Sequence, residues 1–167
     1  MSTLTRIRVW LVVFVIGLVL SGVTAFPLLA EVELLARVVP DLPGVPAGML
    51  SWLDRVHAGL AAADRDYPFL AYGTDWLAFA HLVIAVAFWG PIRDPVRNVW
   101  VVQFGLIACL AVVPLALIAG PLRGIPWWWQ LFDISFGAFG AVPLLFAYRL
   151  IRRSTMDSAI GDVATTS

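Results

Sequence analysis

Asn98-VWVVQFGLIACLAVVPLALIAGP-Leu122 contains no charged side chain. A helix needs about 20 mostly apolar residues to cross a bilayer, and this stretch supplies them. Reading outward from it, three more stretches qualify. Val9 to Ala30 is uncharged, Thr74 to Trp89 carries only Asp75 and His81, and Gly124 to Tyr148 carries only Asp133. Breaker clusters separate the four: Pro40-Asp41-Leu42-Pro43-Gly44-Val45-Pro46, then Gly90-Pro91, then Gly120-Pro121 with Gly124-Ile125-Pro126. The chain therefore reads as all-α, an integral membrane four-helix bundle with spans at 9–30, 73–90, 98–121 and 126–149. Residues 1–153 form one membrane domain, and the small, polar stretch 154–167 reads as a flexible cytoplasmic tail.

Composition agrees. Of 167 residues, 61% are apolar and 13% charged, with a mean hydropathy of +0.90. Soluble domains carry about 45–50% apolar and about 25% charged residues, so an ordinary water-soluble fold is excluded. Disorder, which needs low hydrophobicity and high net charge, is excluded as well. Eleven basic residues balance eleven acidic ones, which leaves no basic surface for nucleic acid. All eleven are arginine. The single cysteine, Cys109, cannot form an intrachain disulfide or a redox pair.

Arginine placement sets the topology. Arg6, Arg8, Arg93, Arg97, Arg149, Arg152 and Arg153 fall on one side of the spans. Arg37, Arg55, Arg65 and Arg123 fall on the other, with Glu31, Glu33, Asp41, Asp54, Asp64 and Asp66. The positive-inside rule then puts both termini and the Arg93–Arg97 loop in the cytoplasm, and a cell inner membrane is the expected location. Arg6 and Arg8 before an apolar run, with Val23-Thr24-Ala25 after it, also resemble a signal peptide. The run exceeds the usual 7–15 apolar residues, so it is read as an uncleaved anchor. The outer loop, residues 31–72, holds Met49, Leu53, Val56 and Leu60 at helical spacing with Trp52 on the same side. That pattern predicts an amphipathic helix over about 47–63, lying in the outer interface or capping the bundle.

Ionisable groups at membrane depth are costly and mark function by default. His81 lies about eight residues into the second span and Asp133 about seven into the fourth. At about 1.5 Å per residue both sit roughly 10–12 Å below the outer surface. A hydrogen-bonded His81–Asp133 pair would satisfy both groups, with Ser21 and Thr24 close enough in depth to join. It would serve either as a clasp between helices or as a proton-handling or ligand-orienting pair. Asp75 suits a helix N-terminus. Trp127-Trp128-Trp129 opens the fourth span where an aromatic belt belongs, yet three consecutive indoles point three ways, so one faces inward as a pocket wall. Arg123 pairs with Glu31, Glu33 or an anionic headgroup. Pro114 and Pro143 kink their spans and free a carbonyl. Gly137 and Ala141 form a small-xxx-small match that suits a helix contact or a homodimer.

Catalytic motifs are few. With only His57 and His81, and no HxxxH or HExxH spacing, neither a metal nor another cofactor is expected. A serine triad and a glycine-rich phosphate loop have no matching motif. What fits is an outward-facing intramembrane polar pocket that binds a hydrophobic small molecule, an isoprenoid or lipid, or transforms it by proton transfer. An enzyme of this kind would be a cofactor-independent isomerase or cyclase. His81 and Asp133 are the catalytic candidates. Glu31, Trp52, Tyr72, Asp75, Arg123, Trp127, Trp128 and Trp129 are the ligand-binding candidates. Partners are then membrane lipids and the small molecule, with a homodimer or larger membrane complex open. The alternative is a non-catalytic accessory subunit, docking through the small-residue face of the fourth span and the Arg93–Arg97 loop.

The layout resembles the EXPERA group, four-helix membrane proteins of the emopamil-binding-protein type. The resemblance rests on Glu31 after the first span, Trp52 in the first loop, and a polar residue within Trp76-Leu77-Ala78-Phe79-Ala80-His81-Leu82. It continues through the Ile92-Arg93-Asp94-Pro95 turn and the prolines at 114 and 143. It implies a four-helix fold and sterol isomerisation, sterol binding or terpene cyclisation. Those relatives usually carry a glutamate where this chain has His81, and their deeper glutamates have no match here. Residues 67–76 and 90–98 also resemble stretches of small bacterial membrane proteins, a likeness that brings no function with it.

Overall fold

The computed structural model describes residues 2–165, and side-chain surroundings for residues 2–156. Among the described residues seven α-helices follow in order: α1 (Thr3–Ala25), α2 (Leu28–Val38), α3 (Ala47–Asp66), α4 (Ala71–Ala87), α5 (Trp89–Arg93), α6 (Val99–Leu122) and α7 (Trp127–Thr165). Short 3-10 turns at Val39–Asp41 and Pro68–Leu70 precede and follow α3, and no strand occurs among the described residues. Four segments are long and apolar enough to cross a membrane: Thr3–Ala25, Pro68–Arg93, Val99–Leu122 and Trp127–Met156.

Three boundaries differ from the sequence reading. The first span does not run to Ala30. Pro27 lacks an N–H and its ring crowds the preceding turn, so α1 stops at Ala25 and the chain restarts as α2. Glu31 and Glu33 thus belong to a short amphipathic helix, LLAEVELLARV, rather than to a loop. The amphipathic helix expected over 47–63 is present as Ala47–Asp66, with Leu53 buried. The helix of the fourth span continues through Thr165, so residues 154–165 of the expected tail are helical; 166 and 167 lie outside the described residues. Both α6 and α7 run on through their internal prolines.

The chain divides into two compact units, one of residues through Leu18 together with Ala85 onward, the other of Val19–Ile84. In the first unit, α6 and α7 pack as an antiparallel hairpin. Its tight points are glycines: a Cβ on Gly105 would meet Leu144 Cδ1 at 2.8 Å and Phe88 Cζ at 2.9 Å. One on Gly137 would meet the Cys109 carbonyl oxygen at 2.5 Å. In an apolar medium, helices associate by such close van der Waals approach rather than by the hydrophobic effect. The N-terminal half of α1 joins this hairpin, with Trp10 stacked on Phe146 at 4.7 Å and Phe14 against Phe88 at 4.7 Å. Ile7, Leu11, Phe88, Val102, Leu144, Ala147 and Ile151 are fully buried there. At the turn after α6, Gly124 takes φ +67°, a left-handed conformation that glycine adopts without strain. Gln130 is buried beside that turn, and its Nε2 donates to the Ile125 carbonyl at 2.8 Å.

The second unit holds the end of α1, α2, α3 and most of α4. Here Gly22 is the contact point: a Cβ on it would lie 2.9 Å from His81 Cβ and 3.0 Å from the Ala78 carbonyl oxygen. Ala78 is fully buried, and Val32 on α2 and Leu53 on α3 are buried.

Candidate functional site

The break at Phe26–Pro27 opens a cleft of about 410 Å³. Its floor comes from Phe26–Ala30, one wall from Leu60 and Ala63 of α3, and the other from Leu70, Ala71 and Thr74. The lining is mostly hydrocarbon. Glu33 and Asp64 add two carboxylates, and Thr74 a hydroxyl. Binding sites for small molecules share this mix and fall in the range of about 300–1,000 Å³. Glu33 accepts from Arg37 at 3.4 Å, an exposed i,i+4 pair that leaves the cleft apolar within.

Beside it lies a shallower aromatic groove of about 320 Å³, bordered by Phe26, Tyr72, Asp75, Trp76 and Phe79. Tyr72, Trp76 and Phe79 recur on one face of α4. Their rings meet edge to face, at 6.0 Å for Tyr72–Trp76 and 5.9 Å for Trp76–Phe79. Phe26 belongs to both depressions, so the two open on either side of one ring.

His81 stands three turns along α4 from the cleft residue Ala71. Its Nδ1 donates to the Leu77 carbonyl at 2.7 Å, a bond within the helix. A carbonyl only accepts, so Nδ1 carries a hydrogen in this bond. The glycine at position 22 lets α1 approach His81 to within the contact given above. Thr24 donates to the Ser21 carbonyl at 3.4 Å. The Thr24 hydroxyl therefore bonds within α1.

The remaining candidates take separate places. Glu31 lies in the first turn of α2, half-buried, and is not among the cleft-lining residues; Glu33 is. Trp52 lies half-buried on α3. Asp133, in the first unit, sits on α7 one turn after Gln130 and one turn before Gly137, on the stripe that meets α6. Among the described residues of its own unit, no group bonds its carboxylate. Arg123 caps α6 through its backbone N–H, which donates to the Ala119 carbonyl at 3.0 Å, and its side chain is exposed. Trp127 is 71% exposed. Trp128 and Trp129 are half-buried and begin an aromatic ladder, Trp128–Trp129–Phe132–Phe136. Among the described residues, no three His, Cys, Asp or Glu side chains gather as a metal would require.

No family model, curated protein or solved structure matches the chain. The EXPERA likeness thus rests on the residues quoted for it.

The sequence reading missed Gly22, Phe26, Pro27, Glu33 and Gln130. Pro27 next to an aromatic, with two glutamates within six residues, was the available signal for a helix break. Gln130 announced itself only as a lone amide in an apolar run. Gly22 gave no signal, because a glycine in a span carries no mark of which neighbour it admits.

Proposed function

We propose that this chain binds a hydrophobic small molecule, an isoprenoid or lipid, in the cleft at the Phe26–Pro27 break. The observation that carries this reading is the cleft itself: apolar walls, a volume suited to such a ligand, and a few polar groups at its border. In this reading the chain is a four-span bundle of the inner membrane with both termini cytoplasmic. The helix-breaking Pro27 holds the cleft open at the outer end, and the adjoining aromatic groove receives the ligand's tail.

If the ligand is transformed as well as held, His81 is the group of the cleft's own unit that we assign to proton transfer, and Asp133 is a separate candidate on the other unit. The Nδ1–H of His81 is engaged by the Leu77 carbonyl, so Nε2 is the ring nitrogen left to exchange a proton. A cofactor-independent isomerase or cyclase needs only a base and a proton donor.

The test is native mass spectrometry of gently extracted protein, followed by identification of the lipids that travel with it. Wild type should retain one isoprenoid or lipid per chain. Ala63→Trp, which fills the cleft, should lose it, and Ala58→Trp on the exposed side of α3 should not. A bare wild-type chain, or retention by Ala63→Trp, would overturn the proposal. Arrival with other subunits and no ligand would favour an accessory role.

A further inference from the structure

Three contacts within the first unit bring seven of its eight arginines, all but Arg123, to one end. Trp10 stacks on Phe146 at 4.7 Å, which sets Arg6, one turn before Trp10, level with Arg149, about one turn after Phe146. Arg8 then ties in the loop after α5, donating from Nε to the Ile92 carbonyl at 2.9 Å and from an Nη to the Arg93 carbonyl at 3.2 Å. Arg93 and Arg97 therefore arrive at the same end, and Arg152 and Arg153 follow Arg149 along α7.

All seven arginines are exposed. Arg8 is spent on carbonyls. None of the others has a carboxylate partner among the described residues. Asp94, the single acidic side chain described at this end, accepts the backbone N–H of Arg97 at 3.1 Å. Arg149 and Arg153 are like charges four residues apart, a spacing that destabilises a helix unless a counter-anion sits between them. The fully buried stripe Leu144–Ala147–Ile151 on the same helix holds these guanidiniums on the outer face.

The flank next to them is apolar and open. Trp89 is 67% exposed, Trp100 63%, and Val9 and Phe146 nearly half. A ligand seated here meets guanidinium at one end and hydrocarbon along its length. Guanidinium presents two parallel N–H groups that match a phosphate's oxygens. We infer that this end of the chain is a binding site for an anionic phospholipid, its phosphate held by Arg6, Arg97, Arg149, Arg152 and Arg153 and its acyl chains lying along the exposed flank. The site is independent of the cleft in the other unit.

The experiment uses the full chain in mixed micelles holding equal phosphatidylglycerol and phosphatidylcholine with identical acyl chains. The ratio of the two lipids retained is read by native mass spectrometry. Each arginine near an anionic headgroup contributes about fivefold in affinity. Wild type should therefore favour phosphatidylglycerol by at least about tenfold, and the triple variant Arg149→Gln/Arg152→Gln/Arg153→Gln should approach parity. Arg37→Gln/Arg55→Gln/Arg65→Gln, which removes the same charge from the other unit, should keep the preference. Should the first triple variant fail to fold, Arg6→Gln/Arg97→Gln carries the same expectation in weaker form. A salt series on wild type gives a third measure, because raising salt from about 0.05 to about 0.5 M should erode the preference. Parity in wild type, full preference in the folded triple variant, or a preference indifferent to salt would each overturn the site.

Discussion

Gly137→Ala tests whether α6 and α7 are held by backbone approach. The added methyl would lie 2.5 Å from the Cys109 carbonyl oxygen, about 0.9 Å inside the 3.4 Å at which ordinary contact begins. The obstacle is backbone, so no rotamer change relieves it and the helices must part. A gap of about 0.5–1 Å forfeits at least a quarter of each dispersion contact; across the roughly 40–60 atom pairs of one buried side chain, at ~0.1–0.2 kcal/mol each, the loss is about 1–3 kcal/mol. Overpacked cores are destabilised by the same amount, typically ~1–3 kcal/mol. Gly17→Ala on α1 is the control, because nothing lies within 4 Å of its added methyl. That change should be neutral or stabilising by up to about 1 kcal/mol through helix propensity. Reversible unfolding in mixed micelles, followed by tryptophan fluorescence, gives both values. If the two variants agree within about 0.5 kcal/mol, the hairpin is not held in the way argued here.

Four further outcomes are expected. Gln130→Leu removes the donor to the Ile125 carbonyl and should cost about 1–3 kcal/mol in the same unfolding assay, since that carbonyl loses its amide partner. Arg8→Gln should loosen α5 and speed amide hydrogen exchange at Asp94 and Asn98, where backbone N–H groups close this loop; unchanged exchange would deny the clamp. His81→Ala and Asp133→Ala should couple by about 1–3 kcal/mol if the two side chains pair, and strict additivity in the double variant would dismiss the pair. Finally, with Cys109 replaced by Ala, a cysteine at Ala61 should be labelled only from outside the cell; labelling from the cytoplasm alone would invert the topology.

The four helices long and apolar enough to cross a membrane were legible because each is a long apolar run bounded by glycine and proline. The α3 helix was legible from the spacing of Met49, Leu53, Val56 and Leu60, which repeats every three or four residues. By contrast, α2 was hidden inside an apolar count. Phe26-Pro27-Leu28-Leu29-Ala30 scores as membrane-like whether or not the helix continues, and only the backbone geometry of Pro27 separates the cases. The same blindness applies to the site. Tyr72 and Asp75 were read as ligand-binding and do border the aromatic groove, because aromatic and acidic residues at a helix start stand out in any apolar sequence. Glu33 lines the cleft in place of Glu31, a difference of two residues that rotates the carboxylate by more than half a turn of helix. Such a rotation is invisible until the helix has a known start.

The tight turn between α6 and α7 bears on how the chain is made. In a membrane, residues 123–126 would leave little slack for two helices of this length and apolarity to enter one at a time and find each other later. The helix α6 carries no charge and partitions readily, whereas α7 brings Asp133, whose transfer into hydrocarbon costs about 2.5–3.5 kcal/mol on translocon-based scales. Emerging as a pre-paired hairpin, with Gly137 already against Cys109, the weaker helix would be carried across by the stronger. Biosynthetic insertion of the C-terminal third would then depend on the hydrophobicity of the segment that precedes it.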